Sequence, residues 1–174
     1  MLPITRMISA YNHYDYNNPK YIILHYTGNS KDTAYNNAKY FNGGNRNASA
    51  HYFVDETSIY QVVEDNKGAW HVGNTKTEVN NKNSIGIEMC CPNSQLYVSD
   101  KTINNTCELV VYLMKKYNIL MECAPSQKEG FFVDISKDVV IFFLWKLFKL
   151  LFDKKTNINL FKTCLFKNQN LSKT

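Results

Sequence analysis

Residues 21–28 read Tyr21-Ile22-Ile23-Leu24-His25-Tyr26-Thr27-Gly28, an apolar run that ends in a histidine. Ile22, Ile23 and Leu24, bounded by turn-forming residues, predict a short strand buried in a sheet. His25 falls where that strand meets the polar sequence Thr27-Gly28-Asn29-Ser30. A histidine placed there is held by a rigid element and can face a cleft, which suits a metal ligand or a catalytic base. Taken alone, the stretch is equally readable as a hydrogen-bonded histidine at a sheet edge.

Working outward, Asp32 is expected to cap a helix whose apolar residues Ala34, Ala38 and Phe41 recur at helical spacing. Asn42-Gly43-Gly44-Asn45 should end it, because glycine and asparagine tolerate a left-handed cap. Residues 49–54 and 59–63 predict two strands joined by the turn Asp55-Glu56-Thr57-Ser58. Residues 67–83 are polar and turn-rich apart from Ala69-Trp70-His71-Val72, and residues 84–89 predict another strand. Ser99 or Asp100 can cap a helix to about Tyr117, with Ile103, Cys107, Val110, Val111 and Met114 on one face. The order strand, helix, hairpin, loop, strand, helix argues for a single α/β domain with a mixed central β-sheet flanked by helices.

The chain has 174 residues, enough for one domain with a real core. Residues 1–120 carry 11 Lys/Arg against 10 Asp/Glu, and residues 121–174 carry 9 against 5. The basic excess therefore belongs to the tail, and no basic stripe with interleaved aromatics suggests a nucleic-acid partner. Five cysteines, two of them adjacent (Cys90 and Cys91) and none in C-x-x-C spacing, point to a reducing compartment. The first residues show no charged-then-apolar signal pattern, so synthesis in a cytoplasm is expected. The longest apolar run, residues 139–152, is too short for a membrane span and is broken by Lys146 and Lys149.

Three further stretches join His25: Ser49-Ala50-His51-Tyr52-Phe53-Val54-Asp55, Ala69-Trp70-His71-Val72-Gly73 and Asn83-Ser84-Ile85-Gly86-Ile87-Glu88-Met89-Cys90. Glu88 is unusual in a strand that is otherwise apolar. Alternation puts it on the face of Gly86, away from Ile85, Ile87 and Met89. A carboxylate beside glycine, where a ligand can come close, suits a general base; the plainer reading is a solvated glutamate on an outer face. A thiol hydrolase using Cys90 or Cys91 is a weaker reading, since buried cysteine is common.

Together, ILHYTG, SAHYFVD, AWHVG and NSIGIE resemble, in order and spacing, the zinc-dependent N-acetylmuramoyl-L-alanine amidases of the phage-endolysin and peptidoglycan-recognition type. The resemblance covers roughly residues 18–118 and implies a mixed sheet with a zinc cleft on one face. It implies peptidoglycan as partner, zinc as cofactor and cleavage of the amide between muramic acid and L-alanine of the stem peptide. By position, His25 matches the first zinc ligand and Glu88 the acid/base carboxylate. His51 and His71 match positions that border the substrate, and Trp70 a wall of the groove. The protein is expected to be a monomer that acts on the cell wall after release.

The resemblance stops at about residue 120, so the chain divides into an amidase-like part, 1–120, and a divergent segment, 121–174. The family takes its other zinc ligands from after the last long helix, yet no histidine follows His71 here. Residues 117–140 offer only Cys123, Asp134 and Asp138 as metal-type side chains, and Cys123 and Asp134 are the candidates to complete the site. Replacement by unrelated sequence, as an altered reading frame would produce, fits the abrupt shift to a Phe/Leu/Lys/Asn-rich tail better. A catalytically inactive module that binds peptidoglycan is accordingly the alternative function.

Overall fold

The computed structural model describes residues 1–73, 78–92 and 97–119, and the backbone of 131–133. Its centre is a pair of parallel strands, β3 (Tyr21–Ser30) and β7 (Ser84–Cys91), reached after two short strands, β1 (Ile4–Arg6) and β2 (His13–Tyr14). Helix α1 (Ala34–Asn42) follows β3, then the hairpin β4 (Tyr52–Val54) and β5 (Ile59–Gln61), then β6 (Gly68–Ala69). After β7 come the long helix α2 (Asp100–Tyr117) and β8 (Phe131–Val133). The main sheet runs β1-β5-β4-β7-β3-β8, parallel except for the β4–β5 hairpin, while β2 and β6 pair antiparallel in a separate ribbon. This is the mixed sheet flanked by helices that the sequence predicts. Strand β8 comes from the divergent segment; Cys123, Asp134 and the apolar run at 139–152 lie outside the described residues.

Both faces of the central strands are covered, which is why they read as nearly unbroken apolar runs. On one face Ile22, Leu24, Tyr52, Val54, Ile85, Ile87 and Met89 pack against Ile103, Leu109, Val110 and Leu113 of α2. On the other, Phe53 and Cys90 pack against Ala34 and Ala38 of α1. In α2, Ser99 caps the first turn by accepting from Thr102 N at 3.3 Å, and Asn118 closes the last turn in the left-handed conformation, φ 53°.

Three local expectations need correcting. Thr33, not Asp32, caps α1, its hydroxyl accepting from Asn36 N at 3.1 Å. Gly43 ends that helix at φ −78°, so its cap is not left-handed. Strand β3 runs on through Thr27 to Ser30, with a register irregularity after Tyr26, so His25 lies within the strand and not at its end.

A polar knot ties the end of α2 to the hairpin. Asp65, only 6% exposed, accepts from the Tyr52 hydroxyl (2.6 Å), Gln61 Nε2 (3.0 Å), Lys116 Nζ (2.8 Å) and the Tyr117 hydroxyl (2.7 Å). Burial raises its pKa, but the hydrogen bonds from Lys116, Tyr52 and Tyr117 outweigh that and hold the carboxyl below the ordinary 3.8. Asp65→Ala would leave the buried Tyr52 hydroxyl without its acceptor, whereas Lys116, 43% exposed, can return to water. Urea unfolding should therefore show a loss of about 2–3 kcal/mol. Because the folded-state pKa is depressed, the Asp65 contribution is present above pH 3.8 and is lost as pH falls through the lower folded value. The gap between wild type and Asp65→Ala should close in acid.

Candidate catalytic site

Strand pairing places the site. In the β3–β7 register Ile23 faces Gly86 and His25 faces Glu88. Alternation along β7 sends Ile85, Ile87 and Met89 into the core under α2, leaving Ser84, Gly86 and Glu88 together on the opposite face. Over that face lies the stretch that follows β6. Asn81 Oδ1 accepts from His71 N (3.0 Å) and Val72 N (2.9 Å), and Ser49 Oγ accepts from Trp70 N (2.8 Å).

His71 is thereby laid on the β7 backbone. A methyl group at Gly86 would come within 2.6 Å of His71 Cγ and Nδ1, so only glycine admits the ring. His71 Nε2 lies 3.1 Å from Ser84 Oγ, and Nδ1 lies 3.1 Å from His25 Nε2. The His25 and His71 rings meet edge to face, 5.3 Å between centroids at 78°. Burial, then the neighbouring His51 and His25, push the His71 pKa well below that of free histidine, so the ring is neutral.

Glu88 is not the solvated outer-face residue of the plainer reading. Burial, with the Asp32 charge adding to it, pushes its carboxyl up to about 7. Its buried Oε2 has no hydrogen-bond partner among the described residues. A carboxyl poised near neutrality with an unengaged oxygen has the character of a general acid/base. Asp32, expected as a helix cap, is instead fixed beside it, accepting from Cys91 N and from Asn37 Nδ2, each at 2.7 Å.

His51 does not border a substrate. It is fully buried (0% exposed), with Nδ1 accepting from Gly86 N at 3.0 Å and Nε2 donating to Lys67 O at 2.9 Å. Burial lowers its pKa to about 4, so it stays neutral as a strut between β7 and the chain before β6. Trp70 is partly exposed, its ring 5.8 Å from that of Tyr14 and tilted by 46°. Cys90 and Cys91 are buried and burial pushes both thiols up, which removes the thiolate a cysteine hydrolase needs.

A family model described as N-acetylmuramoyl-L-alanine amidase matches residues 15–125, well over half of the chain. The chain belongs to the N-acetylmuramoyl-L-alanine amidase family. Among curated amidases, CwlL of Bacillus licheniformis is 34% identical over 113 residues, 58% of this chain and 31% of that protein. CwlH of Bacillus subtilis (strain 168) is 34% identical over 113 residues, 63% of this chain and 44% of that protein. The chain thus spans less than half the length of these curated relatives. The catalytic domain of XlyA superposes with a TM-score of 0.63 at 28% identity, covering 76% of this chain and 84% of that one. A mutant endolysin from Bacillus subtilis gives 0.62 at 29% identity, with the same coverage of 76% and 84%.

Zinc is the cofactor this amidase family implies, and a catalytic zinc site ordinarily takes three protein ligands. Among the described residues no group of three His, Cys, Asp or Glu side chains can hold a metal ion. Those residues therefore do not by themselves fit zinc. Ser84 and Asp32 are the site residues that sequence reasoning missed. Ser84 was legible in the alternation Ser84-Gly86-Glu88; Asp32 was masked by its place next to the true cap, Thr33.

The close fit of His71 on Gly86 can be tested directly. Gly86→Ala should displace the imidazole and destabilise the fold by about 1–3 kcal/mol, the usual cost of overpacking. Urea titration would give the loss, and the His71 ring resonances should shift in the same variant.

Proposed function

We propose that this chain is a peptidoglycan hydrolase that cleaves the amide between the lactyl group of N-acetylmuramic acid and L-alanine of the stem peptide, with Glu88 as its acid/base. The observation that carries this reading is the Glu88 carboxyl, buried, raised to about 7 and with one oxygen unengaged among the described residues. Ionised, Glu88 takes a proton from the attacking water. Protonated, it returns that proton to the departing alanine nitrogen, a contribution of typically about 10²–10⁴-fold. Family membership supports the substrate class.

Zinc is the cofactor this reading calls for, and His25 its expected ligand. Cys123 and Asp134, the candidates to complete the ligand set, lie outside the described residues. The reading also has the protein acting on the wall as a monomer after release from the cell. Among the described residues no helix is long and apolar enough to cross a membrane.

Release of new alanine amino groups from purified cell walls tests the reaction. Glu88→Gln should lower it by at least about 10²-fold while leaving urea unfolding unchanged; wild-type turnover in a folded variant would end the assignment. Since the base must be ionised, the wild-type rate should rise with pH through about 7. Trp70→Ala should weaken muropeptide binding by about 1–3 kcal/mol in calorimetry, as loss of an aromatic wall does. Muropeptide binding with no release of amino groups would make the chain a holding module instead.

A further inference from the structure

Hydrogen bonds have a direction, and at one point in this site the direction is forced. Ser84 Oγ lies 2.6 Å from the backbone carbonyl oxygen of Asn80, a group that only accepts. The single Ser84 proton therefore points at Asn80. Towards His71 Nε2, 3.1 Å away, Ser84 can only accept, so Nε2 carries the ring proton of His71. A neutral imidazole protonated at Nε2 accepts at Nδ1. That nitrogen faces His25 Nε2 at 3.1 Å, which must then be an N–H donor. From His25 through His71 and Ser84 to Asn80, each link has one allowed sense.

We propose that His71 and Ser84 are positioning residues, which hold His25 as its Nε2–H tautomer so that the lone pair of His25 is carried on Nδ1. The floor of the arrangement is Gly86, the one residue that leaves room for the His71 ring above β7. The backstop is Ser84, whose hydroxyl cannot reverse without abandoning the Asn80 carbonyl. Any electron-pair acceptor that His25 serves in the cleft must meet Nδ1, and the ring cannot turn over to offer Nε2 without breaking its bond to His71. The same logic governs histidine ligands and bases generally: the partner of one ring nitrogen decides what the other can do.

The inference rests on reading His25 as a residue of the reactive cleft, but its test follows protons and needs no turnover, so it fails separately from the amidase assignment. Imidazole nitrogen spectra of the full chain, labelled with ¹⁵N-histidine, should show His25 and His71 each protonated at Nε2, with both Nε2 protons protected from exchange with water. In Ser84→Ala both protected signals should be lost; in Ser84→Thr, which restores a hydroxyl, they should persist. His71→Asn places Oδ1 where Nδ1 was and should keep the His25 Nε2 proton protected, whereas His71→Leu should lose it. The His71 pair decides the matter if Ser84→Ala fails to fold, which its amide spectrum would show. A proton on His71 Nδ1, or a His25 signal indifferent to His71→Leu, would overturn the proposal.

Discussion

The site depends on one register: β3 beside β7, with Ile23 opposite Gly86 and His25 opposite Glu88. A slip of one residue would turn Glu88 into the apolar core and bring Ile87 to the cleft. What prevents the slip is the other face of the same strands, where Ile22, Leu24, Ile85, Ile87 and Met89 are packed against α2. The core thus specifies the chemistry indirectly. It fixes which alternate residues of β7 remain for the cleft, and these are a hydroxyl, a gap and a carboxyl.

Each of the three has a distinct use. Ser84 orients His71, Gly86 makes room for it and takes the buried His51 onto its backbone N–H, and Glu88 keeps an oxygen unengaged among the described residues. Two neutral histidines packed around a glycine create a patch of low polarity next to Glu88. Burial there, reinforced by the charge of Asp32, disfavours the ionised carboxyl and brings its pKa close to neutrality. The histidine cluster therefore acts on Glu88 through its surroundings, although only His25 and Glu88 were expected to take part in chemistry.

Much of this was legible in the residues. The apolar runs around His25 and Glu88, and the spacing of Ile103, Cys107, Val110 and Met114, announced the central strands and α2 because long periodic elements carry strong signals. Strands β1, β2 and β6, only two or three residues long, carry no periodicity to detect. His51 was misplaced because a histidine with both ring nitrogens satisfied inside a fold has the same letter as one lining a cleft. Asp32 and Thr33 are both good capping residues, and only the Cys91 N–H reaching Asp32 decides between them. The position of His71 over Gly86 is set by Asn81 and Ser49, partners ten and more residues away in the chain.

The knot at Asp65 has a consequence for how this sequence can change over time. Lys116 and Tyr117, the last residues of α2, are gripped by a buried carboxylate, and Asn118 closes the helix directly after them. The packing between α2 and the sheet is thus secured before the chain reaches residue 120. Downstream, strand β8 joins the sheet only at its margin, beside β3. Sequence beyond this point can drift, or be exchanged wholesale, at little expense to the body of the protein. A fold sealed at Asn118 can outlive the loss of whatever its continuation once supplied.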